Sequence, residues 1–163
     1  GINKKLINRH PHIFSNNSDG SYKKRSWEVT KKKEKNRDSV LDGVPKSLPA
    51  LLLSRRIQEK AAGVGFDWDN NNQVLDKVDE EVSELKESMI KNEGIDEELG
   101  DVLFSLVNLS RHLDIDPELS LKRSTEKFMN RFKAIEKEVD IEKLSLEELD
   151  AIWNRNKKDS LNK

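Results

Sequence analysis

The sequence predicts an all-α fold: a bundle of four or five helices behind a largely irregular basic leader. Three observations predict it. Apolar residues recur at helical spacing in five separate segments, four of them opened or closed by cap chemistry. No segment alternates with period two for long enough to form a strand. The 163 residues are 37% charged and only 34% apolar, against about 25% and 45–50% in an ordinary domain, so one modest core carries much solvated surface.

The elements follow in chain order. Residues 1–46 read as a leader. Ser15 to Ser21 is loop chemistry and Lys31–Lys32–Lys33–Glu34–Lys35 is a charge run, with a short helix expected around Trp27 to Asn36. From Leu48 the character changes. Pro49 suits the first turn of a helix, Leu51, Leu52 and Ile57 follow, and Gly63–Val64–Gly65 marks its end. The second helix, about Gln73 to Lys91, places Val74, Val78, Val82, Leu85 and Met89 within about 80° of arc. Asp69 to Asn72 supplies its cap. The third, about Ile95 to Leu113, puts Ile95, Leu99, Val102, Leu106, Leu109 and Leu113 on one face. The fourth starts at Asp116–Pro117 and turns Leu121, Phe128, Phe132 and Ile135 inward. The fifth opens with Ser145 and Glu148 in capping-box spacing and runs through Leu149, Ile152 and Trp153. The domain spans residues 47–158, with 159–163 as a tail.

Charge and composition exclude several functions. The net charge of −1 conceals a basic leader, with twelve Lys/Arg against five Asp/Glu in the first fifty residues, and an acidic body. The absence of cysteine removes disulfide scaffolds, thiolate metal sites and cysteine nucleophiles. No apolar run reaches the roughly 18 residues of a membrane span, and no signal peptide is visible. A reducing compartment, the cytoplasm, is expected. The acidic body disfavours a nucleic-acid groove. P-loop, dinucleotide and GxSxG patterns are missing.

Two acidic clusters carry the chemistry: Glu80–Glu81–Val82–Ser83–Glu84 on the second helix and Glu97–Glu98–Leu99–Gly100–Asp101 on the third. Spacing i,i+3 puts Glu81 with Glu84 on one stripe and Glu98 with Asp101 on another, each at the rim of its apolar face. Two packed helices can then aim four carboxylates at one point, and a hard divalent cation such as Mg²⁺ relieves their repulsion. The alternative is a solvated acidic face. Lys77, four residues before Glu81, reads either as an intrahelical ion pair or as a phosphate contact. Lys127 and Arg131 are placed to reach an anion or a Glu-rich helix. Ser105, Asn108 and His112 prolong the Glu98/Asp101 stripe, with His112 read as a rim residue. Attack of a metal-bound water on phosphorus is the simplest chemistry for such a site.

These residues resemble a known family. Lys77 to Leu85 followed by Glu97 to Phe104 resembles the EExxE…ExxD signature of MazG-type nucleoside triphosphate pyrophosphohydrolases. Asp42 to Leu51, Gly65–Phe66–Asp67–Trp68, Lys127–Phe128 with Arg131–Phe132, and Leu146 to Trp153 extend the likeness over Leu41 to about Lys158. Asn8 to Phe14 looks like the end of the first of two such domains in a tandem form. The chain, which begins at Gly1, would then be the interdomain segment plus the second domain, and His10 and His12 are not a metal pair.

The resemblance implies Mg²⁺ (with Mn²⁺ as substitute) on Glu81, Glu84, Glu98 and Asp101. It also implies triphosphate contacts from Lys77, Lys127 and Arg131 and a nucleotide contact from Trp153. Arg56 stands where the family often has lysine, which keeps the charge and changes its geometry. Thr125 stands where asparagine is common. The expected reaction is hydrolysis of a nucleoside triphosphate to monophosphate and pyrophosphate by water attacking the α-phosphorus, with Glu80 or a ligand glutamate taking the proton. Rival readings are a helical protein-interaction module and a pyrophosphatase selective for one nucleotide such as dUTP or dCTP. A homodimer is expected, because Leu103, Phe104 and Val107 lie off the main apolar arc of the third helix and one small bundle cannot bury them all.

Overall fold

The computed structural model describes residues 38–159, with side chains to 157. The expected Trp27–Asn36 helix, most of the leader and residues 160–163 lie outside the described residues. Five helices and one 3₁₀ turn appear, with no strand among the described residues. They divide into two compact units, with the boundary in the chain after Pro117.

The first unit holds α1 (Ala50–Ala62), α2 (Asn71–Lys91) and α3 (Ile95–His112). Pro49 is the N-cap of α1 rather than its first residue. The helix is closed by Gly65 at φ +93°, not by Gly63, which stays right-handed. Phe66 N donates to the Ala61 carbonyl and Gly65 N to that of Ala62, the paired bonds of a Schellman turn. At the start of α2, Asn70 Oδ1 accepts from Gln73 N while Gln73 Oε1 accepts from Asp69 N, so Asn70 caps the backbone of Gln73 and Gln73 reaches back to that of Asp69. Asn92 ends α2 in the left-handed region and Gly94, at φ +65°, opens α3. Three residues thus reverse the chain, and α2 and α3 form a helical hairpin. Asp114, at φ +54°, ends α3 in the same left-handed way, its turn closed by Ile115 N on the Ser110 carbonyl.

Val74 and Val78 from α2 and Val102 and Val107 from α3 are the buried apolar residues of this unit. That corrects the expected inward face of α3. Leu99, Leu106 and Leu113 are about half exposed, whereas Val107, expected off the main arc, is buried. The cause is that α3 packs against both α1 and α2, whose contact faces together turn Val102, Ser105 and Val107 inward. The leucine stripe rotates outward and leaves Leu99, Leu103, Leu106 and Leu113 half open.

The second unit holds α4 (Pro117–Glu138), the 3₁₀ turn Ile141–Lys143 and α5 (Leu146–Asp159). The expected capping box is present: Ser145 N donates to Glu148 Oε2 at 2.8 Å and Glu148 N to Ser145 Oγ at 3.3 Å. Of the four α4 residues expected inward, Ile135 is buried, while Leu121, Phe128 and Phe132 stay substantially exposed. Phe128 and Phe132 sit four residues apart and stack on each other at 5.9 Å, so the stripe is apolar but covered on one side only.

Candidate metal centre and its cavity

The α2–α3 hairpin sets the two acidic stripes face to face. One carboxylate oxygen each from Glu81, Glu98 and Asp101 lies within 4.8 Å of the others. Glu81 is the buried member, 8% exposed. Glu84 stands beside the trio: lost hydration, then the charge and hydrogen bond of Glu81 and the charge of Glu98, raise its carboxyl above the ordinary range. Lys77 Nζ lies 2.8 Å from Glu81 Oε1 and 2.7 Å from Glu80 Oε1. Those bonds, to Glu80 first and then Glu81, hold its ammonium above the usual lysine range. In this structure Lys77 is therefore an intrahelical ion pair. Glu80 is exposed on the outer side of the pair.

The donor set is carboxylate oxygen throughout. Three such groups this close repel one another unless protonated or bridged by a cation. Oxygen ligands from a few carboxylates are what Mg²⁺ or Mn²⁺ takes, so the residues present fit the cation that the resemblance implies.

A cavity of about 580 Å³ opens within the first unit. Its wall joins Lys77, Glu81 and Asp101 of the cluster to the apolar Ile57, Val74 and Phe104. Gln58, only 7% exposed, crosses from α1 to α3 by donating from Nε2 to the Phe104 carbonyl at 2.9 Å. Its Oε1 is buried with no hydrogen-bond partner, an arrangement that costs about 1–3 kcal/mol.

The Phe66–Trp68 loop is fastened to the end of α3 through Asp67. Arg111 Nη1 donates to Asp67 Oδ2 at 2.9 Å, Arg111 Nη2 reaches Oδ1, and His112 Nε2 lies 2.9 Å from Oδ1. Burial raises the Asp67 pKa, but the bonds to Arg111 and His112 and the Arg111 charge outweigh it and leave the carboxyl below its ordinary value. His112 is thus a rim residue that holds a loop. Arg56, a candidate substrate contact, is exposed and pairs with Glu59 Oε2 at 2.6 Å; it does not join the acidic cluster or the cavity wall.

Of the remaining candidates, three lie in the second unit. The Arg131 guanidinium carbon sits 5.8 Å from the Trp153 ring centroid, within cation–π range, and Phe128 packs against the same indole at 5.1 Å. Lys127 is exposed. Thr125 Oγ1 donates to the Leu121 carbonyl at 3.0 Å, so its hydroxyl is spent on the helix.

Gln58, Asp67 and Arg111 were not singled out from sequence, although Asp67 lies in a segment that carried the family likeness. A polar Gln58 between Ile57 and Ala61 was the one available signal, since a long polar side chain on an apolar stripe needs a buried partner.

Fold and site together define an all-α protein with a cluster of carboxylates, a candidate cation site, beside a largely apolar cavity. Residues 70–139 match the MazG nucleotide pyrophosphohydrolase domain family. That stretch of the chain is a MazG-family domain. The chain is 44% identical, over 96% of its length, to the nucleoside triphosphate pyrophosphohydrolase/pyrophosphatase MazG of Thermotoga maritima. It is 37% identical, over 98%, to the nucleoside triphosphate pyrophosphohydrolase of Escherichia coli K12. A Bacillus subtilis protein, YabN, is 39% identical over 96% of the chain. The chain spans 63% and 66% of the lengths of the first two relatives and 35% of the third.

Proposed function

We propose that this chain hydrolyses nucleoside triphosphates to nucleoside monophosphate and pyrophosphate. The carrying observation is the convergence of Glu81, Glu98 and Asp101 across the α2–α3 hairpin in a MazG-family domain. Glu81, Glu84, Glu98 and Asp101 would hold Mg²⁺. Bound there, the cation supplies charge neutralisation for the triphosphate and acidifies water. A water oxygen forms a bond to the α-phosphorus, the bond from that phosphorus to the α–β bridging oxygen breaks, and pyrophosphate leaves. Glu80 or one of the ligand carboxylates accepts the proton. Lys77 offers its ammonium to the phosphates once the cation takes over Glu81. Lys127 and Arg131 are proposed as further triphosphate contacts, and Trp153 as a nucleotide contact, on the family likeness of their segments. Arg56 is retained only as a peripheral cation.

The half-open leucine stripe of α3 supports a second proposal, that the chain works as a homodimer. No helix of the described residues is long and apolar enough to cross a membrane, which accords with work in the cytoplasm.

The test is an assay across the common nucleoside triphosphates, with and without Mg²⁺, that separates pyrophosphate from orthophosphate. Pyrophosphate as the primary product is expected. Glu81→Gln, Glu84→Gln, Glu98→Gln and Asp101→Asn should each cut turnover by orders of magnitude. Orthophosphate as the primary product, or wild-type turnover in two of the four variants, overturns the assignment.

A further inference from the structure

The apolar wall of the cavity has two parts. Ile57, Val74 and Phe104 come from the three helices, whereas Leu41, Phe66 and Trp68 come from segments that are not helical. Helix packing does not hold the second part. Phe66 and Trp68 flank Asp67, which Arg111 and His112 fasten. Leu41 has a different fastening. The turn that carries it is closed by local bonds: Ser39 N donates to Asp42 Oδ2 at 2.8 Å, Leu41 N to Ser39 Oγ at 3.1 Å, and Asp42 N to the Ser39 carbonyl at 3.3 Å. Such bonds give a turn its shape but not its place. Lys60 supplies the place. Its Nζ donates to the Val40 carbonyl at 2.7 Å and lies 3.5 Å from the Asp42 carbonyl, so it grips the residues on both sides of Leu41. A lysine in the last turn of a helix ordinarily serves that helix's own carbonyls and dipole. This one, in the last turn of α1, reaches back 20 and 18 residues instead. Its neighbour Ala61 lines the cavity with Leu41, and Lys60 itself does not.

Resting on the nucleoside triphosphate reading above, we propose that Lys60 is a positioning residue: it holds Leu41 as a cover on the cavity, and substrate is bound against that cover. Lys60 does not touch the substrate. It acts through Leu41, and what it sets is affinity. Leu41 is 38% exposed, so it caps the cavity from outside and is not part of the packed core. An apolar cover contacts its ligand alike in the ground state and the transition state. Losing it therefore raises KM and leaves kcat where it was. The turn before α1 is in this way coupled to the site, although it contributes none of the carboxylates.

The experiment has two readouts. The first is pyrophosphate release by the full chain from the common nucleoside triphosphates. Lys60→Met keeps the apolar stem and removes the donors; it should raise KM roughly fivefold with kcat within about twofold. Lys60→Arg still donates to carbonyls and should stay near the wild type. Leu41→Ala should raise KM by a similar factor. The Lys60→Met/Leu41→Ala double variant should do no worse than Leu41→Ala, because a residue that acts through another adds nothing once the other is gone. The second readout needs no substrate. The chain has no cysteine, so Leu41→Cys carries a unique thiol, and its rate of alkylation by a maleimide reports how firmly position 41 is held against the cavity. Adding Lys60→Met should speed alkylation several-fold, and adding Lys60→Arg should not.

A lower kcat with unchanged KM in Lys60→Met is what a merely stabilising lysine produces, by reducing the folded fraction, and it overturns the proposal. Additive effects in the double variant overturn it too, as does an alkylation rate indifferent to Lys60. Alkylation that depends on Lys60, with no pyrophosphate released from any nucleotide, would support the clamp and remove the reaction. Pyrophosphate release with alkylation indifferent to Lys60 would do the reverse.

Discussion

Lys77 reaches one turn along α2 to Glu81, Nζ to Oε1 at 2.8 Å, and so places a positive charge against the buried member of the carboxylate cluster. On the proposed reading, lysine and cation would compete for the same oxygens. Lys77→Met should therefore bind Mg²⁺ more tightly than the wild type and hydrolyse substrate more slowly. The raised lysine pKa fixes the sign of its contribution to stability: present below the unfolded value of about 10.4, lost as pH rises through the folded one. At neutral pH without metal, the variant's unfolding midpoint should drop, and added Mg²⁺ should restore more of it than in the wild type. Unchanged Mg²⁺ affinity, read by calorimetry, would show that the ammonium does not oppose the cation.

Asp67 predicts an acid limb. Its folded pKa is depressed, so its contribution is present above the unfolded value of about 3.9 and fades as pH falls through the folded value. Asp67→Asn should lower the melting midpoint at pH 7 and flatten its fall between about pH 4 and pH 2. Because the loop carries Trp68 on the cavity wall, Trp fluorescence should change in the same variant. A parallel acid limb would assign the pH dependence to other carboxylates.

The cost of truncating Phe128 follows from its exposure of 55%. As a fully buried residue it would lose about 3–5 kcal/mol on conversion to alanine. Half exposed, and held by contacts to Phe132 and Trp153, it should lose about 1–2 kcal/mol. Val74, 1% exposed, should lose more per atom removed, about 2 kcal/mol for Val74→Ala. Chemical denaturation of both variants decides; a Phe128→Ala loss above about 3 kcal/mol would mean the ring is covered in solution.

The leucine stripe predicts association. Leu99→Glu with Leu106→Glu should convert a dimer to a monomer by light scattering while helicity is retained, because these side chains are half open on the single chain. Loss of helicity at the same concentration would show instead that the stripe is part of the unit's own core.

The residues that could be read from sequence were those whose role is local. The Ser145/Glu148 box and the Asn70 cap depend on spacing within four residues, and both formed as spacing dictates. The i,i+3 carboxylate pairs were legible for the same reason, because a three-residue reversal between two helices leaves few ways to pair them. What periodicity could not supply is which neighbour each face meets. It found the apolar leucines of α3 but not that the helix lies between α1 and α2, which turns Val107 in and Leu99 out. Gln58 and Asp67 act on residues 46 and 44 positions away, and no local pattern carries that information.

The fully buried apolar residues of α2 and α3 are Val74, Val78, Val102 and Val107, and all four are β-branched. On a helix each such side chain has one strongly preferred χ1, so this core has few other ways to pack. A longer, freely rotating side chain would let the helices slide or spread by small steps; these do not. The gauge between Glu81 on one helix and Glu98 and Asp101 on the other is therefore stiff. If the proposed site takes Mg²⁺, a larger ion would have to fit by changing how many waters it carries, since the helices would not move apart to receive it.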